Sequence, residues 1–302
     1  MNGVIRNNLW KLQWKWAPIL FVAPFIVMFF AFMLYPLLSS IRLAFMATNG
    51  PRNEVFVGLS NFRHLLGDPN FWLAVKNTTV FTLGSIFVQL PLSLGLALLL
   101  NAKWVKGREI FRIAFFSPHL VGKVFVAVLF SLIFAPRFGL LNRFIHFVIG
   151  FGLDTKWLMN PSLVMPSLIL TALWMHVGFN MIYFLAALQS VDQNLYEAAE
   201  VDGANVIQRF LHVTLPAIRP VAAFVIIMST IASYKMFELP FVLLNGPGPN
   251  NAGLSIVMYL YNTGFLIGDL GYASAIGWFL VLIIVSVSLV QARVIGLWRK
   301  EP

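Results

Sequence analysis

The chain has 302 residues, of which 59% are hydrophobic and only 11% are charged, and its formal net charge is +10. A soluble domain carries about 25% charged residues, so this composition offers too little polar surface for an ordinary soluble fold. The composition therefore excludes an ordinary soluble protein and indicates one that is embedded in a lipid bilayer. The absence of cysteine excludes disulfides, thiolate metal sites and cysteine nucleophiles.

Apolar runs long enough to cross a bilayer predict an all-α, polytopic membrane protein with about six transmembrane helices in one domain covering residues 1–302. In chain order, the predicted spans are residues 17–43, 77–101, 110–135, 162–188, 217–244 and 272–297. Pro91 interrupts the second span, and the third runs through Pro118 and Gly122. Residues 137–150 are expected to form either a mixed loop or a short helix at the membrane interface.

The positions of Lys and Arg predict how the spans are oriented. Twelve of these residues lie at the two termini, in the loop 103–112 and in the segment 195–220, whereas six lie in the opposite loops. Cytoplasmic loops of membrane proteins carry the excess of basic residues, so both termini and the segment 195–220 are expected in the cytoplasm. Nucleic-acid binding is not expected, because the basic residues are scattered beside apolar runs.

The segment 192–216 is polar enough to show a clear local pattern. Asp192 is suited to cap a first short helix, Gly203 to end it, and Asn205 to start a second helix with a capping box. Pro216 is expected to end this second helix. The segment is therefore predicted to form a helix–turn–helix, which we call the elbow, between two apolar spans.

A spaced signature lies within the elbow. Glu197-Ala198-Ala199 is followed after three residues by Gly203, and after nine more by Val213-x-Leu215-Pro216. This pattern resembles the EAA signature of ABC-importer permeases, EAA-x3-Gly-x9-Ile-x-Leu-Pro, with Val213 in place of Ile. The flanks are similar to the carbohydrate-uptake branch of that family, the maltose or glycerol-3-phosphate importer-like permeases. The stretches that carry this similarity are 187–190, 195–197, 202–204, Pro216 with Pro220, Asn142, 246–247 and 271–275.

The resemblance implies a type I ABC-importer permease bundle in the inner membrane of a bacterium or archaeon. Such a subunit forms half of a pathway for a carbohydrate or a related polyol or sugar phosphate. Its implied partners are a cytoplasmic ABC ATPase dimer, an extracytoplasmic solute-binding protein, and a second homologous permease or a second copy of this chain. The elbow would be the coupling helix, and its implied ATPase-coupling residues are Glu197, Ala198, Ala199, Asp202, Gly203, Leu215 and Pro216.

The elbow pattern alone would fit an amphipathic loop on lipid headgroups equally well, and the spaced signature favours docking to the ATPase. Small side chains there permit close approach by another protein. The chain has no phosphate-binding loop motif and no acid–base or metal cluster. No catalytic residue, metal or cofactor is therefore expected in it, and ATP hydrolysis is assigned to the partner.

Polar residues in the spans on either side of the elbow predict a solute pathway. Such groups are costly in a bilayer and face the bundle interior or a water-filled cavity. The candidates are His176, Phe179, Asn180 and Tyr183 on one face of the fourth span, with Ser229 and Ser233 in the fifth. Alternatively, these side chains only join helices to one another.

Three charged residues and a histidine nearby have simpler interpretations. Lys235 and Glu238 are spaced to pair with each other. His119 and Lys123 either line a cavity or, as the favoured interpretation, form a pair at the membrane interface beside Pro118.

A secondary transporter driven by an ion gradient is the alternative function. It would require membrane-embedded carboxylates and internal repeats. Glu238 is the only acidic residue in the predicted spans, and no repeat is evident. The ABC-importer interpretation is therefore favoured.

Overall fold

The computed structural model describes residues 17–48, 53–102 and 104–296. Contacts divide the chain into two compact units, Met1–Leu66 with Thr263–Trp278 and Gly67–Asn262 with Phe279–Pro302.

Several basic residues behind the orientation prediction, and the end of the sixth predicted span at residue 297, lie outside the described residues. These basic residues are Arg6, Lys11, Lys15, Arg52, Lys103, Arg299 and Lys300.

The described elements are almost all helical. In chain order they are α1 (Ala17–Ala44), β1 (Met46–Ala47), β2 (Val55–Phe56), α2 (Ser60–Gly67), α3 (Pro69–Asn101), α4 (Arg108–Leu120), α5 (Lys123–Ile133), α6 (Leu140–Ile149), α7 (Pro161–Gln189), α8 (Gln193–Val201), α9 (Val206–Tyr234), α10 (Glu238–Leu243), a 3₁₀ turn (Pro249–Asn251), α11 (Ile256–Ile267) and α12 (Leu270–Ile295).

Among the described residues, five helices are long and apolar enough to cross a membrane, namely α1, α3, α7, α9 and α12. Helices α4 and α5 pass the same test as a pair, with a bend of 100° between them. The prediction of an all-α protein with about six spans is therefore confirmed. The short helix expected within residues 137–150 is α6.

Helix α3 begins earlier than the predicted span 77–101. The Asp68 side chain caps it by accepting a hydrogen bond from the Asn70 N–H at 2.9 Å, and Pro69 occupies its first turn. Further along, the π-helical turn Ser85–Gln89 directly precedes the turn that contains Pro91. The helix continues through this proline, because a wider turn accommodates the missing backbone donor.

The third predicted span, 110–135, is not one helix. Pro118 lies in the last turn of α4, and Val121 and Gly122 then adopt extended backbone conformations. Helix α5 starts at Lys123 in a new direction. The two extended residues interrupt the helical hydrogen-bond ladder, so the chain bends sharply at this point.

The prediction that Pro216 ends the second elbow helix is wrong. Helix α9 is continuous over 29 residues, with the π-helical turn Phe210–Thr214 just before this proline. The fifth span also ends earlier than the predicted residue 244, because the helix stops at Tyr234 and α10 follows as a separate short helix.

Two buried apolar clusters form the core of the second unit. The first joins α3, α5, α7 and α10 through residues such as Phe130 and Leu168. The second joins α3, α7 and α9 through residues such as Met181 and Ile218. Helix α7 contributes to both clusters, so it holds the helices of this unit together.

Buried asparagines fix the connecting segments of the second unit. The Asn77 amide donates to the carbonyl oxygens of Asn251 at 2.8 Å and Leu254 at 3.1 Å. The fully buried Asn142 amide of α6 donates to the Thr155 carbonyl oxygen at 2.9 Å. Because buried backbone carbonyls need partners, these bonds hold the connecting loops in place.

The first unit also contains two short strands and helix α2, which follow α1 in the chain. Strands β1 and β2 form an antiparallel hairpin, and the Asn61 amide of α2 donates to the carbonyl oxygens of Ala44 at 3.0 Å and Met46 at 2.8 Å. Gly271 in α12 lies so close that an added Cβ would be 1.9 Å from the Met46 carbonyl oxygen. Only glycine fits at this contact.

Candidate docking elbow and solute cavity

The first helix of the elbow, α8, has specific caps at both ends. The Asp192 side chain accepts a hydrogen bond from the Asn194 N–H at 3.0 Å. At the other end, Gly203 has φ +76°, its N–H donates to the Glu200 carbonyl oxygen at 3.0 Å, and the next N–H donates to Ala199 at 2.9 Å. These two bonds form a Schellman motif, which requires the left-handed conformation that glycine adopts without strain.

The second elbow helix starts at the predicted capping box. The Asn205 side chain accepts from the Gln208 N–H at 2.9 Å, and the Gln208 side chain accepts from the Asn205 N–H at 2.8 Å. Two backbone donors at the start of α9 are thus satisfied. The two elbow helices are therefore separated by a short, well-defined turn.

Two side-chain contacts brace α8 against α9. The Tyr196 hydroxyl lies 3.0 Å from the Thr214 hydroxyl, which is buried in the π-helical turn of α9. The Arg209 guanidinium lies 3.2 Å from the Glu200 carboxylate. The first contact is shielded from solvent and the second is largely exposed, so the first contributes more to rigidity.

The predicted coupling residues mostly lie on the surface. Ala199 is half-buried, and the exposed ones are Glu197, Ala198, Asp202, Gly203, Leu215 and Pro216. A Cβ added at Gly203 would meet no atom within 4 Å. Val201 beside it is 88% exposed, and Val206 and Ile207 are also exposed. None of these three apolar residues was among the predicted coupling residues, and they add an apolar component to the elbow surface.

The second unit contains a cavity of about 230 Å³. Five of the six predicted pathway residues line it, namely His176, Phe179 and Asn180 from α7, with Ser229 and Ser233 from α9. Tyr183 does not line the cavity, although its ring contacts that of Phe179, with centroids 5.2 Å apart.

An aromatic wall forms one side of the cavity. The His119 ring stacks on Phe179 with centroids 4.0 Å apart, and its Nδ1 lies 3.3 Å from Nδ1 of His176. Gly178 allows this arrangement, because an added Cβ would lie 1.8 Å from the Phe115 carbonyl oxygen in α4. His119 therefore lines the cavity, which is the less favoured of its two predicted positions, since α4 packs directly against α7 at this glycine.

The cavity is also lined by two polar residues that the sequence analysis did not identify. Ser85 and Gln89 lie on the π-helical turn of α3, and each is only 4% exposed. π-Helical turns occur frequently at functional sites. Both residues stand within an apolar run, and their inward position depends on the local change of helical pitch, which residue spacing does not reveal.

Several of these buried polar groups have no protein partner. Within the described chain, no hydrogen bond joins the side chain of Ser85, Gln89, Asn180 or Ser233 to another residue. None of these side chains is among those with fully buried, unpartnered polar atoms in the described chain, so their polar atoms are reachable from the cavity. The cavity therefore presents hydroxyl and amide groups that are available to a polar solute or to water.

An ion pair completes the polar lining. Lys123, at the start of α5, lies 3.2 Å from Glu238, at the start of α10, and both residues line the cavity. The expected pairing of Glu238 with Lys235 is therefore wrong. Lys123 lines the cavity, which is the less favoured of its two predicted positions. The break between α4 and α5 brings Lys123 toward Glu238, 115 residues further along the chain.

Helix α9 connects the elbow to the cavity. It starts at Val206, in the elbow, and carries Ser229 and Ser233 near its other end. At 1.5 Å per residue, the distance along the helix from Val206 to Ser229 is about 35 Å. A displacement of the elbow therefore has a continuous helical path to the cavity wall.

The helical fold, the elbow and the polar cavity together define a solute-transport subunit, and comparison with known proteins specifies the class. Residues 89–297 match the family described as "Binding-protein-dependent transport system inner membrane component". The arabinooligosaccharides transport system permease protein AraP of Bacillus subtilis (strain 168) is 40% identical over 287 residues, which are 95% of this chain and 91% of AraP. The lactose transport system permease protein LacF of Rhizobium radiobacter is 33% identical over 274 residues, covering 90% of this chain and 91% of LacF.

Solved structures agree with this class. A crystal structure of a bacterial ABC transporter involved in the import of the acidic polysaccharide alginate matches with a TM-score of 0.83 and 27% identity, over 97% of this chain and 100% of that chain. The chain therefore belongs to the binding-protein-dependent transport system inner membrane component family. It is a membrane-embedded ABC-importer permease subunit and not an enzyme, and the family predicted from the elbow signature is confirmed.

Proposed function

We propose that this chain, as a single membrane domain with both termini in the cytoplasm, forms half of the translocation pathway of a carbohydrate importer. Its relatives are named as permeases for arabinooligosaccharides, lactose, and trehalose or maltose. The observation that carries the proposal for this chain is the cavity, where unpartnered hydroxyl and amide groups face an aromatic wall. Sugars present many hydroxyl groups together with apolar ring faces, and this lining offers partners for both.

The pathway residues in this proposal are those that line the cavity. Asn180, Gln89 and Ser233 would hydrogen-bond sugar hydroxyl groups, and Phe179 would contact an apolar sugar face. Each hydrogen bond that they make with the sugar replaces one with water and contributes roughly 0.5–1.5 kcal/mol. Tyr183 is assigned a packing role outside the cavity.

The coupling role is assigned to the elbow. Glu197 and Asp202 would make polar contacts with a partner ATPase dimer, and the small surface around Gly203 would allow that partner to approach closely. For ATP to drive transport, the elbow must bind the two states of the ATPase with different free energies. The resulting displacement would pass along α9 to the cavity, which alternately opens toward each side of the membrane.

The remaining partners follow from the family. One elbow and one half-pathway imply a second permease, which supplies the other half. An extracytoplasmic solute-binding protein would deliver the sugar, as in the alginate ABC transporter whose structure was solved with an alginate pentasaccharide-bound periplasmic protein.

Reconstitution tests this proposal. The chain is purified with the ATPase, second permease and binding protein encoded in neighbouring reading frames, and is placed in proteoliposomes. Uptake of labelled arabino-oligosaccharide, lactose or maltose is then measured with and without internal ATP. We expect uptake of at least one sugar that requires both ATP and the binding protein, and a control ATPase unable to hydrolyse ATP should abolish it.

Two results would contradict the proposal. Uptake that continues without ATP but stops when an ionophore dissipates the ion gradient would indicate a secondary transporter. ATP-dependent uptake of an amino acid or an inorganic ion, without uptake of any sugar, would support the assignment as an importer but contradict the assignment of a carbohydrate substrate.

A further inference from the structure

The charged residues of the cavity point to its preference among saccharides. Among the residues that line it, Lys123 and Glu238 are the only members of the Lys, Arg, Asp and Glu types. Their side chains pair at 3.2 Å, and each is about half-exposed, at 48% and 47%. They therefore face the open volume and compensate each other.

The two histidines of the wall carry at most one positive charge between them. The Nδ1 atoms of His119 and His176 lie 3.3 Å apart. A hydrogen bond between two ring nitrogens requires one of them to accept, so at least one of the two rings is neutral. Lys123 and Glu238 are thus the only residues of the lining that carry a permanent charge.

We propose that Glu238 determines specificity by neutralising Lys123, so that the cavity favours uncharged saccharides over those that carry a carboxylate. This inference rests on the proposed carbohydrate function. A sugar carboxylate would need a free cation, but the Lys123 ammonium is already paired, and Glu238 would repel the incoming charge. A neutral sugar hydroxyl, in contrast, can donate to the carboxylate and accept from the ammonium at the same time.

The position of the pair supports a role in specificity. It joins the first residues of α5 and α10, the two short helices that follow breaks in the chain. The apolar faces of these helices already pack together through Val126, Phe130, Leu239 and Leu243. The helix pair therefore does not depend on a half-exposed ion pair for its packing, since such pairs contribute little to stability.

The test compares binding of a neutral disaccharide and of its aldonic acid, made by oxidising the reducing end. Lactose and lactobionate are one such pair. Binding is measured by equilibrium dialysis against the full complex of permeases and ATPase in nanodiscs, without the binding protein, so that only the pathway selects. The disaccharide used is one that the wild-type complex imports.

The variants are expected to change the ratio of the two dissociation constants in opposite directions. Glu238→Gln leaves Lys123 unpaired and should favour the acid by roughly tenfold relative to wild type. Lys123→Gln leaves Glu238 unpaired and should disfavour the acid by a similar factor. The double variant Lys123→Gln/Glu238→Gln removes both charges and should restore the wild-type ratio.

Asp154→Asn is the matched control, because it removes a carboxylate that pairs with Arg137 at 2.5 Å but does not line the cavity. It should leave the ratio unchanged. The inference is overturned if both single variants keep the wild-type ratio, or if the control shifts it as much as Glu238→Gln does. Should Glu238→Gln fail to assemble, Lys123→Gln and the double variant still decide the outcome. A wild-type complex that imports no saccharide refutes the proposed function instead.

Discussion

Gly203 offers the sharpest test of the elbow as a docking surface. It has φ +76°, is exposed, and has no atom within 4 Å of the position of a Cβ. Asparagine tolerates this backbone conformation better than other side chains do. The substitution Gly203→Asn should therefore cost only about 1 kcal/mol of folding free energy and leave the subunit inserted in the membrane.

The effect on the complex should be larger. If the ATPase packs closely on this surface, the new side chain enlarges a close-packed contact, which typically costs about 1–3 kcal/mol. That range corresponds to roughly a 5- to 150-fold loss in affinity. The assay is the affinity of the ATPase for the permease pair in detergent, together with ATP hydrolysis stimulated by the sugar-loaded binding protein.

Gly150→Asn is the matched control. Gly150 ends α6 with φ +83°, as Gly203 ends α8, and a Cβ added there would also meet no atom within 4 Å. The two substitutions impose similar backbone strain, but only one lies in the elbow. Unchanged ATPase affinity and uptake in Gly203→Asn would refute the docking assignment, and an equal loss in Gly150→Asn would attribute the effect to folding.

Three further substitutions test other parts of the structure. Gly178→Ala places a Cβ 1.8 Å from a carbonyl oxygen of α4, so thermal unfolding in detergent should occur at a clearly lower temperature. Gly95→Ala, in a helix with open space around it, should instead be neutral or stabilising by about 0.5–1 kcal/mol. A lower unfolding temperature for Gly95→Ala than for Gly178→Ala would contradict the packing of α4 against α7. Asn180→Ala should weaken sugar binding about tenfold while ATPase affinity persists, and unchanged uptake kinetics would return this residue to helix packing. Tyr196→Phe removes the hydroxyl contact between the elbow helices and should lower the free energy of unfolding by about 1 kcal/mol. It should also reduce sugar-stimulated ATP hydrolysis. Unchanged stimulation would show that this contact does not take part in coupling.

The elbow was largely predictable because its signals are local. Asp192 as a helix cap, Gly203 as a left-handed helix end and Asn205 in a capping box each act over a few residues of the chain. Helix caps of this kind form with little dependence on the surrounding tertiary structure. The family signature then added a function that the same residues do not imply by themselves.

The breaks and continuities of the spans were less predictable. Pro216 follows a π-helical turn and is carried through α9, whereas Pro118 precedes a bend of 100°. Whether a proline ends a helix depends on neighbouring helices that satisfy the freed backbone groups. A single sequence does not contain that information in local form.

The cavity was predicted in part, for a related reason. His176 and Asn180 share one face of a regular helix, so their spacing indicated a common direction. Gln89 turns inward on a π-helical turn, and the Lys123–Glu238 pair joins residues from two broken helices. These side chains meet only through tertiary structure, which residue spacing does not encode.

The continuity of α9 changes how coupling should be understood. If the helix ended at Pro216, a displacement caused by the ATPase would have to pass across a break between two helices. The observed helix instead extends without a break from Val206 to Tyr234. Its one irregular region is the π-helical turn, and Tyr196 of α8 contacts that turn at Thr214. Under the proposed function, motion of the first elbow helix therefore enters α9 at its irregular turn. The regular helix beyond that turn then carries the motion to the serines of the cavity.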